Sequence, residues 1–73
     1  MDMRELVGRN VRRIRQKNGL TQEQLAELSG FSQQYISGLE KGRRNPTILT
    51  LYELATVLGV SHMDLVRPDD QAI

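Results

Sequence analysis

Three groups of residues in this chain have side chains of types that do chemistry: a lone histidine, a pair of carboxylates and a set of cations. His62 is the only histidine and has no nucleophile or metal-ligand partner at useful spacing, and with no cysteine a thiolate metal site cannot be assembled. Glu23 and Glu27 are four apart, which on a helix puts both on one exposed face, with no nucleophile or metal ligand beside them. That inventory argues against an enzyme and gives no reason to expect a metal or cofactor. The cations are a different matter. Residues 1–44 carry nine Lys or Arg (4, 9, 12, 13, 15, 17, 41, 43, 44) against five acids, a net +4, whereas residues 45–73 carry Arg67 against four acids, a net −3. The overall charge of +1 conceals this asymmetry. One half of the chain is built to meet an anion. On charge alone, a merely solvated basic face fits equally well.

The elements that position these residues are helical. Val7, Val11 and Ile14 recur at i, i+4, i+7 and predict a first helix over 4–17, closed by Asn18-Gly19. Thr21, with Gln24 three residues on, reads as a capping box that opens a second helix, 22–29, with Leu25, Ala26 and Leu28 inward and Gly30 as its stop. Ser32 caps a third, 33–41, with Tyr35, Ile36 and Leu39 inward and Gly42 after it. Pro46 makes 43–46 a loop. Thr47 opens a fourth helix, 48–58, on the stripe Ile48, Leu51, Leu54, Ala55, Leu58, closed by Gly59. Ser61 starts a short fifth helix, 62–66, which Pro68 ends. No stretch alternates with the period of two that a strand requires. The expectation is an all-α, compact five-helix bundle: one domain over 1–68 and a frayed tail over 69–73.

Seventy-three residues leave room for no second domain. Without disulfides, helix packing, alone or with a dimer partner, has to stabilise so small a core. No apolar segment follows Met1–Glu5 as a secretion signal requires, and no apolar run approaches the ~18 residues of a membrane span. The expected location is cytoplasmic, with no membrane association.

The second and third helices are joined by only Gly30-Phe31-Ser32, so they must cross steeply and closely. Ala26 is small where the helices approach. Gly30 stands where φ must turn positive. Ile36 fills the angle between the helices, and Leu25 and Leu39 anchor the pair. These residues jointly describe a helix-turn-helix.

The segments LTQEQLA (20–26) and ISGLEKGRRNPT (36–47) resemble the helix-turn-helix of the Cro/CI phage-repressor family, also called the XRE family. The likeness runs from about Leu6 to Val66 and includes Arg15, Leu54-Ala55 and Leu58-Gly59-Val60-Ser61. It implies a lambda-repressor-like domain acting as a sequence-specific transcriptional regulator on double-stranded DNA. In such proteins the third helix enters the major groove and reads bases near its N-terminus. The matching positions are Gln33 and Gln34, whose amides can donate and accept together, as the adenine N6/N7 edge requires. Ser37, one turn on, is a weaker candidate, for a base or for a phosphate. Gly38 departs from the pattern, because many relatives place a long polar side chain there.

The resemblance also makes Gln22 a phosphate ligand at the start of the second helix. Lys41, Arg43 and Arg44 would flank the DNA backbone, setting register and affinity. Arg15 and Glu40 match positions that form a structural ion pair in relatives. Arg9, Arg12 and Arg13 read as solvated, although any of them could touch a phosphate. Relatives bind palindromic operators as two-fold dimers, and Met63, Leu65 and Val66 are the candidate homodimer surface here, although all three could instead close the monomer core. The competing reading is a protein-interaction module of the same fold, such as an antitoxin or adaptor. No small-molecule ligand is implied.

Overall fold

The computed structural model describes residues 2–69. Four α-helices follow one another: α1 (Met3–Lys17), α2 (Gln22–Ser29), α3 (Gln33–Glu40) and α4 (Ile48–Leu58). The expected fifth helix is instead one 3-10 turn, His62–Leu65. Ser61 caps it in a box with Asp64, and Pro68 follows too soon for a second turn to form. No strand occurs among the described residues, and no helix there is long and apolar enough to cross a membrane. Residues 70–73 of the expected frayed tail lie outside the described residues. Asp69 lies within them and accepts from Arg9 at 2.8 Å.

Each helix begins on a side-chain oxygen that satisfies one of its orphan N–H groups. Thr21 Oγ1 accepts from Gln24 N at 3.0 Å while Gln24 Oε1 accepts from Thr21 N at 2.8 Å. Ser32 and Thr47 accept from Tyr35 N and Thr50 N. Asp2 caps α1, and the backbone N–H of Arg4, aided by its side chain, holds the Asp2 carboxyl below the usual carboxylate range.

Val11, Leu25, Ile36, Leu39, Leu54 and Leu65 form the inaccessible centre of the core, so every element contributes to it. α1 and α3 approach closely at Gly8. A Cβ on Gly8 would stand 2.5 Å from the Leu39 carbonyl oxygen and 2.8 Å from that of Glu40. A glycine in mid-helix costs up to ~1 kcal/mol against alanine, and here it lets the two backbones touch.

Two residues expected in the core are outside it. Leu28 is 60% exposed and Ile48 70% exposed. At about 100° per residue, Leu28 points well away from the direction shared by Leu25 and Ala26, which are the buried residues of α2. Ile48 opens α4, and side chains lean toward the helix N-terminus, so it projects past the packed region. Tyr35 is half-buried, with its ring stacked on Phe31 at a centroid distance of 5.1 Å.

Candidate nucleic-acid interface

The turn between α2 and α3 is made by Gly30 in the left-handed conformation, φ 82°. Ala26 and Ile36 are buried where the two helices meet, while Leu25 and Leu39 lie under them. This crossing turns the N-terminal end of α3 outward. Gln33 and Gln34 occupy its first turn, both exposed, directly after the Ser32 cap.

Gln22, Gln33, Gln34, Ser37, Lys41, Arg43 and Arg44 line a single open concavity of about 710 Å³, together with Gly38. The seven polar residues come from α2, α3 and the loop after it. No acidic side chain lines the concavity. Among the described residues, the ion pairs involve none of Lys41, Arg43 and Arg44. The result is a shallow surface of amides, a hydroxyl and three uncompensated cations, chemically matched to a polyanion with hydrogen-bonding edges.

One carboxylate does lie beneath this surface, and both of its oxygens are hydrogen-bonded. Arg15 donates from Nε to Glu40 Oε2 at 2.6 Å and from Nη2 to Oε1 at 3.0 Å, a bidentate pair. Side-chain exposure is 10% for Arg15 and 3% for Glu40. Arg15 also donates from Nη1 to the Leu20 carbonyl at 2.7 Å, which ties α1 to the start of α2. Gln22 donates from Nε2 to Glu40 Oε1 at 3.1 Å. Gln22 is therefore oriented from below, with its second amide hydrogen left for a group in the concavity.

A helix-turn-helix family model matches residues 11–65. An uncharacterized HTH-type transcriptional regulator of Sinorhizobium fredii, y4dJ, is 65% identical over 71 residues, 97% of this chain and 92% of that one. The chain belongs to the helix-turn-helix family. Among solved structures, a hypothetical transcription factor from Neisseria, NHTF, superposes with a TM-score of 0.91 at 31% identity, covering 96% of this chain and 80% of the other. SinR, the master regulator for biofilm formation, solved in complex with DNA, superposes with a TM-score of 0.79 at 31% identity, over 84% of this chain and 98% of that one.

Away from the concavity, this helix-turn-helix chain departs from the expected dimer surface. Leu65 is wholly buried and Val66 is packed against the core; of the three residues expected there, only Met63 is exposed, at 57%. A 3-10 turn so short has to spend its one large aliphatic residue on docking to its own core. The exposed apolar residues nearby are on α4: Leu49 and Tyr52, three apart on one face. The Tyr52 ring lies 6.4 Å from that of His62, beside Met63.

Asn10 has no counterpart in the sequence-based expectations. It is completely buried and donates from Nδ2 to the carbonyls of Leu65, 3.0 Å, and Arg67, 2.9 Å. It thereby fastens the 3-10 turn to α1. Its signal was a polar residue on the stripe defined by Val7, Val11 and Ile14. Of the arginines expected in solvent, Arg13 is half-buried and donates to Asn10 Oδ1 at 2.9 Å, and Arg9 pairs with Asp69. Arg12 is exposed.

Proposed function

We propose that this chain is a transcriptional regulator that binds double-stranded DNA sequence-specifically, with α3 in the major groove. The observation that carries this reading is the convergence of the seven polar residues on one concavity free of carboxylates. Gln33 and Gln34, at the exposed first turn of α3, read base edges, and Ser37 adds a contact one turn further on. Lys41 and Arg43 take phosphates on the flank. Gln22 offers its remaining amide hydrogen to a phosphate at the N-terminus of α2. The relationship to SinR, solved on DNA, supports the same docking of the shared fold. The protein is taken to act in the cytoplasm, on the nucleoid.

The protein acts as a two-fold homodimer on a palindromic site. The partner surface is the face formed by Leu49, Tyr52 and Met63, which leaves α3 free. A protomer measures 29 × 22 × 20 Å, so two copies side by side can place their reading helices about 34 Å apart, one turn of DNA.

Selection from a randomised duplex pool tests this. The wild type should enrich a two-fold motif, and Gln33→Ala should lower the ratio of selected-site to random-duplex affinity by about five- to a hundredfold. An unchanged ratio would remove Gln33 from the readers. No binding to random duplex even at low salt would leave the interaction-module reading in its place.

A further inference from the structure

α3 has a vacancy on its reading face. Gly38 lies four residues after Gln34 and so one turn further along the same face, where it presents no side chain. The vacancy is covered from outside the helix. A Cβ on Gly38 would stand 3.0 Å from Nε, 3.4 Å from Cγ and 3.7 Å from Cδ of Arg44. The Arg44 side chain therefore lies flat across α3. Its guanidinium carbon sits 5.5 Å from the centroid of the Tyr35 ring, within cation–π range. The loop is held against the helix as well: Arg43 N donates to the Gly38 carbonyl at 2.9 Å.

This posture differs from that of a phosphate ligand on the flank, which reaches outward as a flexible point charge. Arg44 is preorganised by an aromatic ring, has no carboxylate partner among the described residues, and lines the same concavity as Gln33, Gln34 and Ser37. A planar guanidinium held over an aromatic ring on a reading face matches the paired O6 and N7 acceptors of guanine. We infer that Gly38 and Arg44 together form one reading position, in which the glycine admits a loop arginine across α3 and that arginine recognises a guanine in the major groove. The inference rests on α3 entering that groove, as proposed above.

The test uses the full chain and duplexes enriched from a randomised pool by the wild type. The enriched motif should contain a guanine in each half-site that does not depend on Gln33. For Arg44→Lys, which keeps a cation but loses the bidentate fork, the affinity ratio of the guanine duplex to the same duplex with that pair changed should fall about ten- to a hundredfold. Gly38→Ala puts a Cβ 3.0 Å from Arg44 Nε, so the arginine has to shift by a few tenths of an ångström; the ratio should fall in the same direction by a smaller factor, while its thermal midpoint shows that it is folded. Replacing the guanine with 7-deazaguanine should weaken the wild type several-fold and Arg44→Lys much less. If both variants keep the wild-type ratio and Arg44→Ala merely reduces the log–log salt slope by about 0.9, Arg44 is a phosphate ligand and the inference fails while the function stands. A wild-type pool with no enriched motif overturns both.

Discussion

The molecule exposes two surfaces that its own fold does not require, and they are supported in opposite ways. The α3 concavity is polar and cationic, and rests on a buried carboxylate that is paired on both oxygens: Glu40 accepts two bonds from Arg15 and one from Gln22. The α4 face carries exposed Leu49 and Tyr52, with the Tyr52 ring near that of His62 in the 3-10 turn that also carries exposed Met63. Near an anion-binding surface, an unpaired carboxylate would repel the ligand. Glu40 escapes that cost because Arg15 neutralises it from the far side, leaving the field of Lys41, Arg43 and Arg44 uncancelled. The apolar face has no such electrostatic device and stands on packing alone. Removing polar partners should therefore damage the first surface far more than it damages the second.

The largest expected effect follows directly. Glu40→Ala strands the Arg15 guanidinium at a site where it is 10% exposed. The loss should be about 3–5 kcal/mol of unfolding free energy, read from the urea midpoint. The double variant Arg15→Met with Glu40→Leu should be more stable than either single substitution, because it leaves no buried charge alone. A single-variant loss below about 1 kcal/mol would mean that the pair behaves as an exposed one, and the contrast between the two surfaces would lose its basis.

A smaller effect is expected at the attachment of the 3-10 turn. Asn10→Ala leaves the carbonyls of Leu65 and Arg67 without their donor and opens space beside α1. The expected loss is about 1–3 kcal/mol. Amide exchange at Leu65 and Val66 should quicken more than at Leu39 in α3, since the clamp holds only the turn. Equal acceleration in both places would show that Asn10 supports the core as a whole.

Sequence alone reached the features decided within one turn of chain. The caps at Thr21, Ser32, Thr47 and Ser61 are local hydrogen bonds, and Gly30 and Gly59 supply positive φ where α2 and α4 end. The seven polar positions came from the family likeness, and they converge because their spacing on α2 and α3 survives a fixed crossing. Features that depend on how elements cross were not legible. Leu28 and Ile48 have the spacing of core residues but lie beyond the packed sectors. Gly8 shows its purpose only once Leu39 and Glu40 are seen against it. Arg44 could be assigned to the flank but not laid across Gly38, because its posture depends on the Tyr35 ring. The pairing of Ser61 with Asp64 was readable in principle, as a cap with an acid three residues on.

The smallest effect on stability belongs to the apolar face, and that is what makes it diagnostic. Tyr52 and Met63 are 59% and 57% exposed, so neither contributes much to the monomer core. Tyr52→Asp combined with Met63→Asp should change the unfolding free energy of the monomer by no more than about 0.5 kcal/mol each, as at ordinary surface sites. Self-association should respond differently, because two charges on each copy would have to be desolvated or face their symmetry mates. In sedimentation equilibrium the wild type should dimerise and the double variant should remain monomeric. On DNA, the variant should bind single half-sites and lose cooperativity on the two-fold motif, while still binding through Lys41 and Arg43. Leu28→Asp provides the control, since Leu28 is as exposed, at 60%, but lies on α2; it should leave self-association intact. If the wild type is monomeric at high micromolar concentration, or if Leu28→Asp alone abolishes the dimer, the α4 face is not the partner surface.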